Sequence, residues 1–132
     1  MIHPVIINVL FAFSVSAVAP TATNAQDLDA GEKVFNKCKA CHQLGEKAKN
    51  RAGPVLNGIV GQSAGKGGGG RYSNALSDSE LVWDEATLAA YLADPNATVP
   101  GTKMSFAGLR KDEDIAAVIA FLASYNADGT RR

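Results

Sequence analysis

The stretch Cys38-Lys39-Ala40-Cys41-His42 decides how this chain is read. Two thiols three residues apart, with an imidazole directly after the second, form a c-type haem attachment signature. Each thiol can add across one porphyrin vinyl group and form a thioether. One helical turn spaces the sulfurs to reach both vinyls on one edge. His42 then presents a ring nitrogen to the iron, one of the standard haem ligations. CxxC alone also fits a dithiol redox pair or half a zinc site. Zinc needs four ligands, and beyond the N-terminal leader the chain holds two Cys and one His. A thioredoxin-like dithiol expects a βαβ context, and no strand pattern precedes Cys38.

Upstream, residues 5–19 are mostly apolar and uncharged, and Pro20 ends the run. Thr23-Asn24-Ala25 then supplies small residues before Gln26-Asp27. This is the shape of a secretory signal, although Met1-Ile2-His3 brings no Lys or Arg. The run is short for a transmembrane span. The reading is a signal peptide over 1–25, cleaved near Ala25, and a single domain over 26–132 outside the cytoplasm. An uncleaved anchor carrying the same domain is the alternative. His3 belongs to the leader and leaves the site argument.

Downstream and around the motif, Asp29 is read as the cap of a first helix beginning near Ala30. Val34, Phe35, Cys38, Cys41 and His42 follow at helical spacings. Gly31 shares a face with Phe35. It either frays the helix start or admits a second helix at close range. From Leu44 to Leu81, Gly45, Gly53-Pro54, Gly58, Gly61, Gly65 and the Gly67–Gly70 run forbid long regular elements. So much loop in a small domain needs something to wrap around, and Val55, Leu56, Ile59 and Val60 are available to line it. The four glycines make no phosphate loop, because the Lys and Ser/Thr that should follow are absent. Asp84 and Glu85 open a short helix with Leu88, Tyr91 and Leu92 inward, and Pro95 closes it. The last helix runs from about Asp112 to Tyr125. Its stripe of Ile115, Val118, Ile119, Leu122 and Tyr125 should cross the first helix near Gly31 and Phe35. Asp128 to Arg132 reads as a polar tail. The fold class is all-α: three to five helices and long loops around one covalent haem.

A second ligand comes from Met104, in the loop Pro100-Gly101-Thr102-Lys103-Met104-Ser105-Phe106. A lone Met usually fills a core. This one lies in a Gly/Pro loop, and no other Met or His competes beyond the leader. Metal ligation is therefore assigned to His42 and Met104. Met/His ligation raises the potential and fills the open position, which favours electron transfer over oxygen binding or peroxide chemistry. No catalytic residue is required.

Charge is balanced in sum and uneven in distribution. From Lys33 to Arg71 the bases Lys33, Lys37, Lys39, Lys47, Lys49, Arg51, Lys66 and Arg71 face only Glu46. Asp78, Glu80, Asp84, Glu85 and Asp94 follow without a base until Lys103, Arg110 and Lys111. Basic stretches thus flank both ligands. Such a field steers an acidic partner and weakens with salt. Nucleic acid is a poor fit to a moderate basic run on an exported chain.

Taken in order, these residues resemble class I cytochrome c, nearest the bacterial c2 type and its mitochondrial relatives. Phe35 and CKACH resemble the family's first helix and attachment site. Gly53-Pro54 resembles its Gly-Pro turn, which implies that the Pro54 carbonyl accepts from the His42 ring. Tyr72 and Trp83 match aromatics that bond a haem propionate. Tyr91 matches the tyrosine beside the axial sulfur, and Leu122 and Tyr125 match packing residues of the last helix. Pro100 to Leu109 resembles the methionine loop, with Phe106 over the haem edge. As ordinary core aromatics, Tyr72, Trp83 and Tyr91 would still need polar partners. Three positions depart: Gln62 replaces an arginine, Asn57 a histidine and Leu76 an asparagine. The resemblance implies a monomeric periplasmic carrier. It would take electrons from a membrane quinol:cytochrome c oxidoreductase and pass them to a photosynthetic reaction centre or terminal oxidase. Lys37, Lys39, Lys103 and Lys111 would dock it. A haem sensor, a peroxidase and a dedicated donor to a periplasmic reductase are the competing classes. The first needs a vacant iron position, and the second a distal base and donor, whereas the one histidine beyond the leader is already used. The c-prime bundle is disfavoured by its C-terminal attachment motif.

Overall fold

A computed structural model describes residues 24–132. The apolar leader run lies outside the described residues. Five helices appear in order: α1 Asn24–Phe35, α2 Asn74–Ser77, α3 Glu85–Ala93, α4 Pro95–Thr98 and α5 Asp112–Ala123. Among the described residues the only β-pairing is two isolated bridges, Ser63 with Val82 and Tyr125 with Arg131. The class is all-α, as expected.

The α1–α5 crossing forms the frame. A Cβ on Gly31 would lie 2.2 Å from the Ala117 carbonyl oxygen and 2.6 Å from Phe121 Cβ. Only glycine allows backbones this close, so the open question about Gly31 resolves in favour of the crossing. Phe35 meets Phe121 there with ring centroids 5.6 Å apart. α5 buries Ile115, Val118, Ile119, Phe121 and Leu122, and Asp112, Glu113 and Asp114 fill its first turn, where the helix dipole favours acids. It stops at Ala123, two residues short of the predicted end, and Tyr125 is already in the bridge to Arg131.

α1 starts earlier than expected. Asp29 lies inside it and does not cap it, because nothing between Asn24 and Gly31 breaks a helix. Regular helix also ends sooner, at Phe35. The chain then tightens into three-residue turns, with Lys37 N–H bonding the Val34 carbonyl at 3.0 Å and Cys38 N–H that of Phe35 at 2.8 Å.

The other elements follow their caps. Asp84 accepts from Thr87 N–H at 2.7 Å and starts α3 as predicted. Pro95 closes α3 and also opens α4, whose cap Asp94 accepts from Ala97 N–H at 3.0 Å. Ser73 caps α2 through Leu76 N–H at 3.1 Å. These two one-turn helices lie in stretches read as irregular, since four residues carry no periodicity. Leu76 is buried in the core, so the residue in place of the family's asparagine serves as packing.

Candidate haem site

The two thiols keep their one-turn spacing. Cys41 N–H bonds the Cys38 carbonyl at 3.1 Å, and His42 N–H bonds the same oxygen at 2.9 Å. Both cysteines are free, Cys38 half-buried and Cys41 exposed. Burial pushes the Cys38 thiol pKa up, and nearby Lys37 pulls it back in part.

His42 is held from two sides. Its Nδ1 lies 2.7 Å from the Pro54 carbonyl oxygen, which can only accept, so Nδ1 carries the proton and the Nε2 lone pair is left for a metal. Gly53 forms a floor beneath the ring: a Cβ there would sit 2.4 Å from Cε1, 2.7 Å from Nδ1 and 2.9 Å from Nε2. Gly53 N–H also bonds the Cys41 carbonyl at 2.9 Å. The Gly-Pro turn therefore belongs to the attachment motif physically. Asn57 accepts from Gly45 N–H and donates to the Gly45 carbonyl, both at 2.9 Å. It ties the two ends of the loop that leaves His42 and returns through Pro54.

A Cβ on Gly70 would come 2.6 Å from Pro54 Cβ and 3.4 Å from Tyr72 Cζ, which places Tyr72 on this same side. Its hydroxyl donates to the Gly67 carbonyl, and burial raises its pKa. The Gly67–Gly70 run is thus pinned here and by Asn50 Nδ2, which donates to the Gly68 carbonyl at 2.7 Å.

Trp83, Tyr91 and Met104 form the second group. Trp83 is buried and clipped into the chain: its N–H bonds the Gln62 carbonyl and its carbonyl accepts from Gly61 N–H, both at 2.8 Å. Its ring meets that of Tyr91 at 4.9 Å between centroids. Tyr91 Oη lies 2.7 Å from Thr102 Oγ1, and Thr102 Oγ1 accepts a longer bond, 3.4 Å, from Met104 N–H. Thr102 is the site residue that sequence reasoning missed, since a loop hydroxyl has no signature of its own. Met104 and Phe106 are half-buried against the core, with Leu44, Leu56, Ile59 and Val60.

Against known proteins, the cytochrome c family model matches residues 28–126. The chain belongs to the cytochrome c family. It is 44% identical to cytochrome c2 of Blastochloris viridis over 93% of this chain and 94% of that one. Among solved structures it resembles cytochrome cH from Methylobacterium extorquens, at 48% identity and TM-score 0.69, over 73% of this chain and 96% of that one. Cytochrome c2 from Rhodospirillum centenum superposes with TM-score 0.71 at 34% identity, over 76% and 98%. Membership carries a general redox-carrier role without catalysis and a bacterial c2-type likeness. A family haem fits the residues present. The tautomer of His42 leaves Nε2 for iron, the floor under its ring admits no side chain, and two free thiols stand at the attachment spacing.

Proposed function

We propose that this chain is a periplasmic one-electron carrier of the c2 type. A single haem c is attached through Cys38 and Cys41 and ligated by His42 and Met104. The observation that carries this is the His42–Pro54 hydrogen bond within the Cys-x-x-Cys-His turn. It orients the ring, fixes its tautomer and raises its basicity as a ligand. The bound haem supplies a one-electron couple.

The chain's own residues do the rest. Met104 would supply the second ligand to the iron, so both oxidation states would keep the same ligands and little would have to move. Thr102, braced by Tyr91, holds the start of the methionine loop. Leu56, Ile59, Val60 and Phe106 keep water from the site. Tyr72 and Trp83 are assigned to the propionates, Tyr72 by exchanging its Gly67 partner. Lys37, Lys39, Lys103 and Lys111 are exposed and would orient an acidic partner. Those partners are a quinol:cytochrome c oxidoreductase on one side and a reaction centre or oxidase on the other, met by a monomer. No helix among the described residues is long and apolar enough to cross a membrane.

Protein matured in a cell competent for haem attachment tests this. Expected are a mass increase of one haem, a far-red band from Met-to-iron charge transfer and a reversible one-electron titration. Encounter with membranes should slow as salt rises. Colourless protein with bare thiols would overturn the assignment.

A further inference from the structure

Residues 124–132, of which Asp128 to Arg132 were expected to trail as a polar tail, form a closed turn. Asn126 N–H bonds the Thr130 carbonyl at 2.9 Å, and Arg132 N–H bonds that of Ser124 at 2.8 Å. Asp128 Oδ1 accepts from Thr130 N–H at 2.9 Å and from Thr130 Oγ1 at 2.7 Å. Arg132 Nε reaches Asn126 Oδ1 at 2.9 Å. Arg131 lays its guanidinium over Tyr125 and Phe121, 4.9 and 5.3 Å from the ring centroids, and donates to Tyr125 Oη at 3.0 Å. The turn is thereby anchored to the end of α5.

What it presses on is the loop that carries the histidine's support. Gly129 is buried, with φ +86°. A Cβ there would fall 2.3 Å from Gly45 C, 2.4 Å from its oxygen and 2.5 Å from Glu46 N. A Cβ on Gly58 would fall 2.8 Å from both Cα and N of Ala127. Gly45 lies just beyond His42 and Gly58 just beyond Pro54, and Asn57 already ties Gly45 in both directions. The turn therefore sits on both strands of the loop whose far ends meet in the His42–Pro54 hydrogen bond. The clamp's final residues, 127–132, follow the span matched by the family model.

We propose that Gly129 and Arg131 are positioning residues for the axial histidine: the C-terminal turn clamps the 43–58 loop and so sets the His42–Pro54 hydrogen bond. This rests on the ligation reading above. Loosening the bond makes the imidazole a poorer donor, which favours the reduced state.

The test uses holoprotein carrying Gly129→Ala, Arg131→Ala, or Val118→Ala as a core control that lowers stability from within α5, outside the 124–132 turn. Potential and exchange of the His42 Nδ1 proton are read by titration and NMR. The clamp predicts an upward shift in potential and about ten-fold faster Nδ1–H exchange in the first two variants. Val118→Ala should move neither. If both clamp variants lose thermal stability with potential and exchange unchanged, or if Val118→Ala shifts them equally, the turn is a structural cap only and the proposal falls. Should Gly129→Ala fail to fold, Arg131→Ala decides alone. Wild-type protein without haem would sink the ligation reading and this proposal with it, whereas haem-loaded clamp variants with wild-type potential and exchange sink this proposal alone.

Discussion

The two candidate ligands are held by different means. The histidine side is built from backbone: Gly53 lies under the ring, the Pro54 carbonyl accepts a hydrogen bond from its Nδ1–H, and Gly53 N–H reaches back to the Cys41 carbonyl. At Met104 itself the ties are a Tyr91–Thr102 hydroxyl pair and one long bond from Met104 N–H, beside a local turn in which Phe106 N–H bonds the Met104 carbonyl at 3.1 Å. Backbone contacts at glycine leave no rotamer to change. A hydroxyl pair can break and rehydrate at a net cost of about 1 kcal/mol. The lesson is that exchange of ligands, heat and alkali should all act first on the sulfur side.

The largest expected effect tests that asymmetry directly. Met104→Ala should lower the reduction potential markedly, abolish the far-red band and let external ligands bind, while His42 stays in place. An unchanged potential and band would mean that Met104 was never the ligand. Gly53→Ala comes next. Its Cβ would drive the ring off its floor, so the melting temperature should fall and the His42 Nδ1 proton should exchange faster, with the far-red band retained at neutral pH. Loss of the band together with the proton's protection would show that the two sides are not independent.

Tyr91→Phe is the mildest. It should cost about 1 kcal/mol near neutral pH and let the methionine be displaced more readily. Burial raises the Tyr91 pKa above the ordinary phenol value of 10.0, partly opposed by the Thr102 bond. A raised value means the folded state holds the neutral phenol more tightly. That contribution is complete below the ordinary value and is lost as pH rises through the folded one. The variant should therefore lose less stability than wild type in strong alkali, as pH-dependent denaturation would record. Equal alkaline slopes would argue that Tyr91 titrates normally.

The histidine side was legible in the sequence because covalent chemistry demands a spacing, and Cys38, Cys41 and His42 keep it. The last helix was legible for the same kind of reason, its apolar stripe being long enough to show a period. Thr102 was not, since one hydroxyl in a loop reads as turn composition. Gly31 was ambiguous because fraying and close crossing ask for the same residue. The tail misled because Asp128-Gly129-Thr130 suits a free terminus as well as a turn. What distinguishes them is Gly129 against Gly45, a contact between distant parts of the chain. α1 was placed late because Asp29 is as favourable inside the first turns of a helix as at its cap.

Leu109 N–H bonds the Leu92 carbonyl at 2.8 Å, and Gly108, with φ +99°, packs where a Cβ would fall 2.0 Å from the Ala93 oxygen. The chain between them leaves α3 and comes back to the same spot. Such a segment is a cassette with matched ends, and lengthening it costs little in closure entropy. A replacement that kept the buried Pro95 and Val99 and the Thr102 hydroxyl could differ in size and sequence elsewhere, retuning the carrier without redesigning the long helices that hold it.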